Sequence, residues 1–217
     1  ARLFGQIGGD VHVLASDDEL EHKLGTTLPS AHETSMRPAI QDLPEVYRRT
    51  YFENEWCLYT SRGCVFNCNF CLAEKGTPQH FRYESAFRDE VDYLVRMVRR
   101  YAGERPNYQV YLSTLDGLQD TDEMENLLRI IKETSDKYEI TLLLRCLATA
   151  KMTVRAHDKD PQLLGRWYDY GLRCIGIGAD GADKETWKRE NKSHNSKIEV
   201  TRSLLVIEEA GIQPEAV

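Results

Sequence analysis

The sequence predicts an α/β protein in which parallel strands alternate with outer helices, behind an irregular N-terminal arm. Two observations predict the core. After about residue 55, short runs rich in Val, Ile, Leu and Tyr alternate with stretches whose apolar residues recur at three- and four-residue steps. Strands joined through helices return to the same end of a sheet, so they run parallel, with crossovers that are right-handed nearly always. A third observation predicts the arm: residues 1–54 sustain no periodicity, and they are expected to form an N-terminal segment and linker in front of a core over 55–217.

A first strand is expected over 56–60. It runs into a long polar loop that carries Gly63 and Gly76. Residues 85–101 read as a helix, because Val91, Leu94, Val95 and Val98 share one face; Gly103 and Pro106 stop it. A strand follows over 108–115. Asp120 and Glu123 have capping-box spacing and open the next helix, with Met124, Leu127, Leu128 and Ile131 as its apolar stripe. The run 140–144 is almost unbroken in its apolar character, which predicts a strand covered on both faces. Asp160 and Pro161 read as an N-cap and a first-turn proline, opening a short helix that ends at Gly171. A strand over 172–177 comes next. Ser196 and Glu199 then cap a last helix that has Leu204, Leu205 and Ile207 on its inner side and closes at Gly211.

Composition narrows the class of protein. A chain of 217 residues with 41% hydrophobic content can bury one sizeable core. No run of about 18 apolar residues and no signal-like opening is present, so neither a membrane span nor secretion is expected. Free thiols fit a reducing cytoplasm. The formal net charge of −7 argues against a general grip on nucleic acid phosphates. Arg96, Arg99, Arg100 and Arg105 form a local basic cluster, which is read as a solvated helix face.

Three cysteines, Cys64, Cys68 and Cys71, stand in the spacing CxxxCxxC within SRGCVFNCNFCLAEKG. Soft thiolates suit iron, and a cluster of four irons held by three thiolates keeps one iron open to a reacting ligand. Two plainer readings compete with it. Zinc could take the same thiols with Cys57 or His80 as a fourth donor, although no second CxxC or HxxxH pair exists. Disulfides are disfavoured in a long chain with six cysteines, three of them crowded together. Cys57, Cys146 and Cys174 lie singly near strands and read as small core residues, with no auxiliary CxxC for a second cluster.

The cysteine loop after the first strand, with Phe70 just before the last cysteine, resembles that of the radical S-adenosylmethionine (SAM) enzymes. The resemblance implies a partial (β/α) barrel. That family builds more βα units than this chain carries, so residues 213–217 would open a further strand and a partner chain or missing domain would complete the barrel. It also implies a [4Fe-4S] cluster on Cys64, Cys68 and Cys71, with SAM at the open iron. In LSTLDGLQD, Asp116 and Gly117 would lie nearest the SAM amino group; the plain reading of Asp116 is a turn residue before glycine. Arg145, read as ending the third strand, would pair with the SAM carboxylate, and a surface arginine is its plain reading. Asp180 in CIGIGADGAD stands where a glutamate is common near the SAM ribose, and ETWKRENK also follows the family pattern.

The segment PAIQDLPEVYRRTYFENEWCLYTSRGC resembles the linker that precedes the barrel in the cobalamin-associated branch of this superfamily. The branch's Asp-x-His-x-x-Gly signature is absent, so cobalamin would belong to a missing or partner domain. The acidic stretch 17–21 and His12, His22 and His32, spaced ten residues apart, read as solvated loop positions. The implied activity is reductive cleavage of SAM to a 5′-deoxyadenosyl radical that abstracts hydrogen from a small-molecule or peptide substrate, in a methyl transfer or a rearrangement. An external one-electron reductant would supply the electron, and the site would be oxygen-sensitive. A tRNA-modifying enzyme of the same superfamily and a non-enzymatic iron-sulfur or zinc module are the alternatives; whether SAM is bound and cleaved separates the last from the others.

Overall fold

The computed structural model describes residues 43–101, 103, 107–181 and 183–217. In chain order its elements are α1 (Glu45–Glu53), β1 (Trp56–Tyr59), β2 (Ser61–Arg62), β3 (His80–Phe81), α2 (Glu84–Tyr101), β4 (Asn107–Ser113) and α3 (Thr121–Lys137), followed by β5 (Thr141–Ala148), α4 (Ala150–Lys159), α5 (Leu163–Asp169), β6 (Leu172–Ile177), α6 (Lys184–Arg189), α7 (Lys197–Glu209) and β7 (Gln213–Ala216). The acidic stretch 17–21, His12, His22, His32, Arg105 and Pro106 lie outside the described residues.

Strands β1, β4, β5, β6 and β7 form one sheet in that order, and every pairing is parallel. Because strands are added in chain order, each crossover steps one place in the same direction, and crossovers of one hand then collect their helices on one face. Burial follows that geometry. Tyr108, Val110 and Leu112 of β4 and Leu142, Leu144, Cys146 and Ala148 of β5 belong to the buried core with the inner faces of the helices. The alternate residues Gln109, Tyr111, Ser113, Leu143, Arg145 and Leu147 are exposed or half-buried. The fold is therefore an open five-strand partial barrel rather than a closed one.

This alternation corrects the expectation that the third strand is covered on both faces. The faces of parallel strands that a closed barrel would bury stay open here. Arg145 does not end that strand either, since β5 continues to Ala148. Cys57 is exposed and Cys174 half-buried on this open face, so of the three single cysteines only Cys146 is a core residue. Leu205 is half exposed, and Val206 takes the inner position beside Ile207.

The boundaries expected at Asp120 and Ser196 hold, and Asp183 caps α6, a helix the sequence reading did not predict. Asp120, Ser196 and Asp183 each accept a hydrogen bond from the backbone three residues on, capping α3, α7 and α6. Asp160 instead ends α4 and turns the chain, its Oδ1 accepting from the amide of Gln162, so α5 begins later than the sequence suggests. Part of the expected irregular arm is helical: α1 packs Phe52, fully buried, between Trp56 at 4.9 Å and Tyr101 at 5.7 Å. The arginines of α2 sit on a solvated face, with Arg96 paired to Asp92 and Arg99 donating to the carbonyl of Tyr138.

A buried ion pair closes the base of the cysteine loop. Arg82 Nη1 meets Glu90 Oε2 of α2 at 2.7 Å, with side chains 1% and 2% exposed. The Arg82 amide donates to the carbonyl of Thr60, joining the two ends of the loop. Replacing Arg82 by Met strands a buried carboxylate, and the expected loss is about 3–5 kcal/mol in urea unfolding. The double variant with Glu90→Leu should recover most of that loss, because no charge is then left unpaired.

Candidate functional site

The C-terminal ends of parallel strands all lie at one edge of the sheet, where side chains from separate segments can converge. There a cavity of about 260 Å³ is lined by Cys64, Cys68 and Cys71 together with Phe66, Phe70 and Lys75 of the same loop. The ends of four strands contribute Leu115, Leu147 to Thr149, Gly178 with Asp180, and Val217; Lys192 and His194 complete the wall.

The loop is shaped by its own sequence. The φ of Gly63 is +87°, and a Cβ there would stand 2.3 Å from the carbonyl oxygen of Pro78, so only glycine fits the turn. The amides of Thr77 and Gly76 donate to the carbonyls of Cys64 and Phe66, and Lys75 Nζ donates to the Cys68 carbonyl at 2.6 Å. Gln79 Nε2 reaches the hydroxyls of Ser61 and Thr114, fixing the loop's return to the sheet. The opposite wall is tied to the loop: Asn191 Nδ2 donates to the Asn67 carbonyl at 2.6 Å, and Asn69 Nδ2 donates to the Arg189 carbonyl at 2.7 Å.

Burial raises the pKa of Cys64 and Cys68, so without a cation these thiols keep their protons; a bound metal displaces them. His194 stacks on Phe66 with centroids 3.7 Å apart. Its pKa is lowered to about 4, first by burial and then by Lys192 and Lys151, leaving a neutral ring whose buried Nε2 has no hydrogen-bond partner among the described residues. Among the described residues no three Cys, His, Asp or Glu side chains close on a single metal ion, but three soft thiol donors on one largely apolar cavity are the donor chemistry that an iron-sulfur cluster takes. Cys57 and His80, the candidate fourth zinc donors, are not in the cavity wall.

Of the residues singled out in the sequence, Cys64, Phe70, Cys68, Cys71 and Asp180 come together in this wall. Asp116 and Gly117 do not line it. Asp116 is fully buried behind it, accepting from the hydroxyl of Thr149 at 2.8 Å and from the Leu118 amide at 3.1 Å. Gly117 packs where a Cβ would stand 3.0 Å from Cys146 Sγ. Arg145 is on the open sheet face, paired with Glu55 at 3.2 Å and stacked over Tyr111, in one register row with Cys57 and Cys174. Sequence reading missed Thr149 and His194, and did not assign Lys192 to the site. The ETWKRENK stretch pointed at Lys192, but nothing local marked His194.

A family model described as the radical SAM superfamily matches residues 58–214. Among solved structures, the cobalamin-dependent S-adenosylmethionine radical enzyme OxsB with aqua-cobalamin and S-adenosylmethionine bound is similar at a TM-score of 0.60 and 17% identity, over 77% of this chain and 24% of that one. The same enzyme with aqua-cobalamin alone gives 0.58 and 18%, over 74% and 23%. Its selenomethionine-labelled apo form gives 0.59 and 17%, over 75% and 23%. The chain thus spans about a quarter of the length of those proteins, and the likeness is one of fold. No curated protein sequence matches it.

Asp116 carries a pH signature. Burial drives its pKa up and its bonds from Thr149 and Leu118 hold the rise back, the net effect being a pKa raised to about 6. The unfolded carboxyl titrates near ~4, so between about pH 4 and pH 6 the unfolded chain ionises freely while the folded one resists. Its contribution is intact below that window and is lost as pH rises through it, by on the order of 3 kcal/mol in full. Urea unfolding at stepped pH should show this slope in the wild type and a flatter profile in Asp116→Asn.

Proposed function

The chain belongs to the radical SAM superfamily, and we propose that the cavity at the sheet edge holds a [4Fe-4S] cluster on Cys64, Cys68 and Cys71 with SAM beside it. The observation that carries this reading is the convergence of the three thiols with Asp180, Thr149, Lys192 and His194 on a single apolar cavity. Bound there, cluster and SAM supply a one-electron reductive cleavage that yields a 5′-deoxyadenosyl radical; the hard chemistry is theirs, and the protein binds, orients and shields.

Each wall residue has a task. Phe66 and Phe70 give the metal side an apolar wall, and Asp180 faces the cavity where a ribose hydroxyl could donate to its carboxylate. Asp116 acts at one remove, holding the Thr149 hydroxyl in place. Arg145, in its pair with Glu55, is better placed to meet a substrate on the open face than the SAM carboxylate. The substrate class we favour is a small molecule or peptide, with methyl transfer or rearrangement as reaction types; the net charge of −7 weighs against tRNA. OxsB binds cobalamin. If this chain uses it, the site belongs to another segment or chain, because no cobalamin motif is present. An external one-electron reductant completes the reaction, in a reducing, cytoplasmic setting; no described helix is long and apolar enough to cross a membrane.

Anaerobic reconstitution with iron and sulfide, then reduction and addition of SAM, tests the reading by chromatography for 5′-deoxyadenosine. The wild type should produce it, and Cys68→Ala and Cys71→Ala should fall to background. Retained iron and turnover in those variants, or zinc uptake with intact SAM, would overturn the assignment.

A further inference from the structure

An ammonium is buried in the wall of the cavity. Lys192 is 5% exposed, and its Nζ pairs with Asp180 Oδ2. The same Nζ lies 5.6 Å from the centroid of Phe70, the residue that precedes Cys71. Beyond Asp180, its electrostatic neighbours are Cys68, Cys64, Cys71 and Asp116.

Burying an ammonium is costly even when it is paired, and the chain makes local concessions to place this one. A Cβ at Gly178 would stand 3.0 Å from Lys192 Nζ and 3.1 Å from Asp180 Oδ2, so the pair sits in a space that a glycine leaves. Asp180 takes a left-handed backbone, φ 43°, which is strained for a residue other than glycine. The Lys192 amide donates to the Trp187 carbonyl at 2.7 Å, and Asn195 Nδ2 donates to the carbonyl of Gly178 at 3.0 Å. Both partners of the pair line the cavity.

We propose that Lys192 and Asp180 form an electrostatic lever that sets the reduction potential of the cluster held by Cys64, Cys68 and Cys71. The inference rests on the proposed cluster. Adding one electron from an external reductant adds one negative charge beside Lys192, whose ammonium stabilises the reduced form, while the Asp180 carboxylate offsets part of that effect. The two residues therefore act with opposite sign, as positioning residues for charge rather than as groups that react.

The test is an EPR-monitored redox titration of the anaerobically loaded full chain, at matched iron and sulfide content, for the wild type, Lys192→Met, Lys192→Arg and Asp180→Asn. The midpoint should fall in Lys192→Met, rise in Asp180→Asn and stay near the wild type in Lys192→Arg. Midpoints that shift together in the two charge-removing variants, or that do not move, overturn the lever while leaving the cluster assignment intact. Should Lys192→Met fail to load, an unchanged or lowered midpoint in Asp180→Asn overturns it alone. A wild type that takes up no cluster overturns the proposed function, and the lever with it.

Discussion

Strand direction is the constraint on which this molecule depends. Five strands run parallel and are laid down in chain order, so every helical crossover returns the chain to the same end of the sheet and every strand leaves by the same edge. Residues far apart in sequence meet there: the cysteine loop after β1, Leu115 after β4, Thr149 after β5, Asp180 after β6 and Val217 after β7. Apolar side chains on the helix-facing side supply the driving force, and the open face remains free for polar and reactive groups.

Cohesion of the site comes from hydrogen bonds between segments that could otherwise move separately. The base of the cysteine loop is closed by the Thr60 and Arg82 backbone contact and by the Arg82–Glu90 pair. Its tip is tied to the end of α6 and the turn after it, through Asn69 to the Arg189 carbonyl and Asn191 to the Asn67 carbonyl. The second tie joins opposite walls of one cavity, so the thiols and the Lys192–Asp180 pair are held in a common frame. A loop fixed at base and tip has already lost much of the freedom that binding would otherwise have to remove.

The polar groups around the cavity oppose folding as much as they serve the site. Asp116 is buried where its ionised form is disfavoured, and Asp180 occupies a backbone region unfavourable to its side chain. His194 has a buried ring nitrogen with no partner among the described residues. Such costs gather where a site is built in advance for a ligand, and the surrounding core offsets them. The buried strands and α2 with α3 supply that core, with Leu94, Leu112, Leu128 and Leu144 all fully enclosed.

Local chemistry made much of this legible from sequence. Periodic apolar stripes and capping residues determined α2, α3, α7 and the strands they connect, because those signals act within a few residues. The spacing of Cys64, Cys68 and Cys71 was enough to point to the superfamily for the same reason. Helix α4 was hidden because β5 passes into it through the single residue Thr149, with no Gly or Pro between them. Which polar residues face the cavity was decided only by the tertiary structure. Arg145 and Asp116 carried suitable chemistry at plausible strand ends, yet strand length put one on the open face and burial put the other behind the wall. Lys192 and His194 reached the cavity because β6 and the turns after α6 carry them there, through contacts more than a hundred residues apart in sequence that no short pattern encodes.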